Sequence, residues 1–273
     1  MDKKEIVEKI STELKLQGKS ERTIRMYCFF NEKFIDFIKK DVNEISQDDV
    51  KKFLGFMLNK KNDVGSVALA RSSLRFFYDE VLQKGITANI KTPKKQRRLP
   101  DVLSKEEIKL LINSAKKLKN KLFIEIMYSS GLRVSECANL KVKDLNLEDK
   151  TGLLKFGKGG KDRFFILSEK VIVDLKEYLD NHNSEYLFPG VNGSIGTRAI
   201  QRAVKRTAQI AGIKKKVYCH LLRHAFATHL LEDGVDIRKI QMLLAHSNLQ
   251  TTSFYTQVSK EQLKKVRSPL DTI

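Results

Sequence analysis

The sequence predicts a mainly α protein of two domains that carries one small antiparallel hairpin. Three observations lead there. The first third of the chain repeats apolar residues at three- and four-residue intervals in one segment after another, as helices with a single buried face require. Between Gly85 and Leu103 that period collapses into prolines and a basic run. Further on, one stretch, TGLLKFGKGGKDRFFIL from Thr151, alternates around a glycine-rich centre while its neighbours stay helical in period. With 273 residues and 41% hydrophobic content, the chain can bury a sizeable core, and its length admits two domains.

In chain order, EIVEKISTEL, TIRMYCFFNEKFIDFIKK, DDVKKFLGFMLNKK and SVALARSSLRFFYDEVL predict four helices. Ser20 and Ser46 stand ahead of the second and third, where a short hydroxyl accepts from unpaired amides of the first turn. The stretch GITANIKTPKKQRRLPDVL then predicts a linker. Its prolines stop a helix, and Lys94, Lys95, Arg97 and Arg98 repel one another and favour an extended chain suited to a phosphate backbone. The expected division is a helical domain over residues 1–85, a basic linker over 86–100 and a second domain over 101–273. Ser104 with Glu107 three residues on has the spacing of a capping box and opens the second domain. Helices over KEEIKLLINSAKKL and KLFIEIMYSS lead to GLRVSE, and the hairpin follows, its glycines able to make the tight reversal. Helices resume after Ser168 through EKVIVDLKEYL, TRAIQRAVKRTAQIAG, a histidine-rich stretch, DIRKIQMLLAH and SKEQLKKV. There are no internal repeats.

Composition narrows the partner. Against 33 Asp and Glu stand 52 Lys and Arg, a formal net charge of +19 that draws polyanions and makes binding salt-dependent, so a nucleic acid is the expected partner. No apolar run approaches the ~20 residues of a membrane span, and MDKKEIVEKI lacks the apolar heart of a secretory signal. Cys28, Cys137 and Cys219 are too few and too scattered for a disulfide framework. A cytoplasmic protein without membrane partners is expected.

The chemistry concentrates in CHLLRHAFATHLL, LLAHSN and TTSFYTQ, which hold four of the five histidines, Arg223 and Tyr255. His220 and Arg223, three apart at a helix start, share a face, and the helix terminus itself attracts anions. Arg133 follows Gly131 at the end of an apolar helix, with Glu136 placed to orient it. Two guanidinium forks can hold both non-bridging oxygens of one phosphate. In their field the Tyr255 phenol becomes a plausible nucleophile, and His246 a donor to a phosphate oxygen. Lys158 at the hairpin tip has the reach of a general acid, with Lys161 and Arg163 as competitors or phosphate grips. Zinc fits poorly: HxxxH at 220 and 224 lacks a following Glu and encloses the cation Arg223. His224 and His229 lie in an apolar helix and read as supporting or packing residues. In the first domain Arg22, Arg71 and Arg75 are candidate DNA contacts.

Taken in order, GLRVSE, GKGGKDR, HLLRHAFATHLL, LLAHSN and TTSFYTQ resemble the tyrosine recombinase (phage integrase) family, most closely its Xer-type members. The resemblance implies a two-domain C-shaped clamp, with a helical core-binding domain ahead of a catalytic domain. It implies Arg133, Lys158, His220, Arg223, His246 and Tyr255 as the catalytic set, with Glu136 and His224 supporting them. It further implies a 3′-phosphotyrosyl intermediate, no cofactor and no metal, and a tetramer on double-stranded DNA held through a tail from Ser259 to Ile273. Cys219, Ala225 and Ala245 depart from the family's usual proline, serine and glycine but remove no catalytic group. Chromosome-dimer resolution and integration or excision of a mobile element both fit. The rival readings are a non-catalytic DNA-binding regulator and a type IB topoisomerase.

Overall fold

Helices begin where the sequence supplies an acceptor for their first amides. In the computed structural model of the chain, which describes residues 1–60, 62–93, 101–154, 162–180, 182–191, 193–244 and 266–272, Asp2 caps α1 (Lys3–Leu16) and Ser20 caps α2 (Glu21–Ile38). Ser46 caps α3 (Gln47–Asn59) in a reciprocal box with Asp49, and Asp63 caps α4 (Val64–Leu74). These helices belong to the first of two compact units, Met1–Leu99; the second is Pro100–Ile273.

The fourth expected helix changes character midway, since Arg75–Val81 is a π-helix. Phe76, Phe77 and Tyr78 are consecutive and all buried. The wider turn brings neighbours onto one side that an α-helix would splay apart. Residues past Gly85 also stay with this unit: Thr87 donates from its backbone and its hydroxyl to Asp79, and Ile90 is buried in the unit's core. A polar turn thus ties the chain just past Gly85 back onto this unit. A buried Asn31 links α2 to α4 by donating to Ser73 Oγ at 2.8 Å.

The second unit is built around one helix. The Ser104–Glu107 box opens α5 (Lys105–Asn113), and α6 (Leu118–Ser130) follows, buried at every residue from Leu122 to Ser130. A helix buried on all sides is a central element, and α6 packs against its neighbours from every direction. They are α5, α7 (Val134–Ala138), α8 (Glu169–Leu179), α9 (Thr197–Ile210) and α10 (Cys219–Glu232). Glu125 is the acidic exception within it, 3% exposed and beside Asp174 of α8 and Lys121, whose ammonium lies 2.5 Å from Asp174.

The expected hairpin is present as β2 (Thr151–Leu154) and β3 (Arg163–Ile166), with Leu154 opposite Arg163. A short strand, β1 (Leu145–Asn146), extends it to three antiparallel strands, and β4 (Pro189–Gly190) pairs with β5 (Gly193–Ser194) as a separate ribbon. The architecture is thus mainly helical with a small antiparallel sheet. Helix α11 (Ile237–Leu244) closes the described part of the C-terminal region, apart from residues 266–272. That last segment packs on its own chain: Leu270 is buried, Ser268 donates to the Ser129 carbonyl, and Ser168 donates to Asp271. No described helix is long and apolar enough to cross a membrane.

Candidate active site

The site begins where α6 stops. Gly131 takes a left-handed φ of 61°, and a Cβ there would lie 2.6 Å from the Phe226 ring and 2.7 Å from Leu244. Only glycine meets both demands, and the turn it makes delivers Arg133 to the start of α7. Glu136 then accepts twice from the same residue, at 2.8 Å from the Arg133 backbone N–H and at 2.6 Å from its Nη1.

Arg223 arrives from α10, one turn in, held down by the buried Leu221 and Leu222. Its side chain is 3% exposed. Nη1 donates to the Gly131 carbonyl at 2.6 Å and Nη2 donates to the Leu244 carbonyl, leaving the guanidinium 4.0 Å from Glu136. Arg133 and Arg223 therefore meet over one carboxylate, as the pairing of two forks on a phosphate requires.

A third guanidinium joins them. Arg163 donates from Nη2 to Glu136 Oε2 at 2.6 Å and from Nη1 to the Leu243 carbonyl, with its side chain 6% exposed. Arg163, expected as a competitor of Lys158 or as a phosphate grip on DNA, points inward to Glu136 and the Leu243 carbonyl. The signal was present, since in a strand residues two apart share a face. Arg163 sides with Phe165, 1% exposed, and opposite Phe164, 39% exposed.

Three positive charges thus surround one negative charge among these described residues. Burial raises the Glu136 carboxyl, but Arg163 and Arg133 outweigh it and hold the group below its ordinary value. Burial, then the charges of Arg133 and Arg163, press the Arg223 guanidinium down to about 9. Burial presses Arg163 down as well, with Glu136 pushing back. A pocket with this excess of buried positive charge is stabilised by an anion.

His220 stands exposed in the first turn of α10, its ring edge-on to His224 at 4.4 Å between centroids. Tyr218, at the cap position, makes no side-chain cap bond to the start of that helix. His229 is a packing residue: it is buried, and its Nδ1 lies 2.9 Å from the Tyr128 hydroxyl. Lys158, Lys161, His246 and Tyr255 lie outside the described residues, as do Lys94, Lys95, Arg97 and Arg98. Their flanks are described. Leu154 and Arg163 bracket the segment containing Lys158, and α11 is described as far as Leu244, two positions before His246.

In the first unit, Arg71 and Arg75 line a cavity of about 230 Å³ with Lys19 and Tyr27, whereas Arg22 is exposed on α2 outside it. Arg75 lies 3.7 Å from Glu80.

Comparison with known proteins places these features in context. A profile described as Phage integrase family matches residues 101–262, and one described as Phage integrase, N-terminal SAM-like domain matches residues 6–88. Tyrosine recombinase XerA of Pyrococcus horikoshii is 35% identical over 267 residues, covering 96% of this chain and 92% of that protein. The crystal structure of a XerA recombinase aligns with a TM-score of 0.53 at 32% identity, covering 97% of each chain. The XerH site-specific recombinase bound to difH substrate, in a pre-cleavage complex, aligns with a TM-score of 0.69 at 26% identity, covering 89% of this chain and 78% of that one.

Proposed function

The chain belongs to the phage integrase family, and from that premise we propose that it is a Xer-type site-specific recombinase that cuts and rejoins DNA through a tyrosyl intermediate. The observation that carries the reading is the gathering of Arg133 and Arg223 over Glu136 in a pocket with excess buried positive charge. That arrangement suits a scissile phosphodiester whose charge grows in the transition state.

In this reading the Tyr255 oxygen attacks the phosphorus and the bond to the 5′ oxygen breaks, leaving a 3′-phosphotyrosyl ester and a free 5′ hydroxyl. The phenol proton passes to a base, for which the exposed His220 is the candidate, and Lys158 protonates the departing oxygen. Arg133, Arg223 and His246 bind the non-bridging oxygens. The freed hydroxyl of a partner strand then reverses the steps on the new ester. One phosphoester replaces another throughout, so the chemistry consumes no ATP.

The first unit serves as the core-binding domain, with Arg71 and Arg75 at the DNA backbone, and the second as the catalytic domain. The protein works in the cytoplasm as a tetramer on two duplexes. The tail, seated here on its own chain through Ser268 and Leu270, docks on a neighbouring subunit in that assembly. Chromosome-dimer resolution and mobile-element movement share this chemistry.

The test is incubation with a nicked suicide duplex. A covalent protein–DNA adduct that disappears in Tyr255→Phe is the expected result. Retardation without adduct supports a DNA-binding regulator, and relaxation of supercoils without strand exchange supports a topoisomerase.

A further inference from the structure

Arg163 sits where three catalytic segments come closest in the described structure. It opens β3 opposite Leu154, so the pair forms the foot of the connection that contains Lys158. Its Nη2 reaches the same Glu136 oxygen, Oε2, that accepts from the Arg133 backbone, while Glu136 Oε1 accepts from the Arg133 guanidinium. Its Nη1 takes the Leu243 carbonyl, and the very next carbonyl, Leu244, is taken by Arg223. Two guanidiniums from different elements therefore hold successive carbonyls of α11, those of Leu243 and Leu244.

We infer that Arg163 is a positioning residue for strand cleavage: by bridging Glu136 to the Leu243 carbonyl it holds β3, the Arg133 turn and α11 in one frame. The inference rests on the recombinase reading and adds to it a residue that acts through its neighbours. A planar fork is needed because its two terminal nitrogens reach a carboxylate on α7 and a carbonyl on α11 at once, which a lysine ammonium does not span in the same way. Among the described residues, the charged groups facing Glu136 are Arg133 ahead of α7, Arg163 on β3 and Arg223 on α10. Without Arg163, burial gains the upper hand over Glu136, which then takes up a proton at higher pH and releases Arg133.

The test compares single-turnover adduct formation on a nicked suicide duplex by wild type, Arg163→Gln and Arg163→Lys from about pH 5 to about pH 8, a range that brackets an upward-shifted carboxyl. DNA affinity and thermal unfolding are measured alongside. Arg163→Gln is expected to bind DNA normally yet form adduct on the order of 10²-fold more slowly, the cost of misplacing a catalytic group by about 1 Å. Its loss deepens toward acid pH, which a purely structural role does not produce in a folded protein. Arg163→Lys recovers the pH profile by supplying charge but only part of the rate. In Glu136→Gln the added Arg163→Gln change brings no further pH dependence. Wild-type rate and profile in Arg163→Gln overturn the inference, and if that variant does not fold, wild-type rate in Arg163→Lys does so. A wild-type protein that forms no adduct removes the recombinase reading as well, which separates that failure from one confined to the variants.

Discussion

Arg223 Nη1 donates to the Gly131 carbonyl across 2.6 Å, fixing one guanidinium two residues from the backbone of the other, Arg133. The relationship makes one turn of chain, Gly131 to Arg133, the common reference for both guanidiniums. Arg223 is buried with its terminal nitrogens occupied, donating to the carbonyls of Gly131, just past α6, and of Leu244 in α11.

Replacing Arg223 should therefore have two separable effects. Arg223→Gln is expected to lower adduct formation by about 10²–10³-fold, as losing one preorganised donor to a developing oxyanion does. Losing its bonds to the Gly131 and Leu244 carbonyls should also cost about 1–3 kcal/mol of stability. Single-turnover cleavage and urea unfolding measure the two, and an unchanged cleavage rate contradicts the assignment.

Gly131→Ala tests the turn itself. The φ of 61° disfavours any Cβ, and the contacts at 2.6 and 2.7 Å with Phe226 and Leu244 leave no room for one. Strain of about 1–2 kcal/mol and overpacking of about 1–3 kcal/mol should combine into a clear fall in melting temperature by calorimetry. A melting temperature within error of wild type would mean that the turn relaxes freely.

The pH dependence of stability should carry the mark of Glu125. Burial, and then Asp174 beside it, raises its carboxyl to about 8, above the unfolded value of 4.5. A raised carboxyl keeps its proton in the folded state, so its contribution is fully present below the unfolded value and is lost as pH rises toward 8. Glu125→Gln should flatten that decline and stabilise the protein at the alkaline end by on the order of a few kcal/mol. Denaturant unfolding at about pH 5 and about pH 8 decides it; parallel curves for wild type and variant would contradict the account.

Much of this was legible in the sequence. Ser20, Ser46 and Ser104 cap as their spacing implies, and the buried faces of α2, α3 and α5 follow their period. The alternating stretch became β2 and β3. Strands of two residues, such as β1 and β4, have no period to read, and the π-turn over Arg75–Val81 answers to packing of three aromatics rather than to local propensity. At the site, the Arg133–Glu136 pair was readable because its partners are three residues apart. Arg163 was not read correctly, because its partners, Glu136 and Leu243, lie 27 and 80 residues away.

The C-terminal segment gives a prediction about assembly. Removing residues 259–273 should impair formation of the multimer on DNA, seen by sedimentation of the protein–DNA complex. It should also cost about 1.5–3 kcal/mol of stability, the burial of the Leu270 side chain that is lost with it. Unaltered assembly would contradict a role for the tail between subunits.

The most direct measurement is the chemical identity of the protein–DNA bond. Trapping the adduct on a nicked suicide duplex, digesting it and sequencing the nucleotide-bearing peptide by mass spectrometry should place a 3′-phosphate ester on Tyr255. An ester on another residue, or a 5′ linkage, would contradict the assignment of that phenol as the group activated by Arg133 and Arg223.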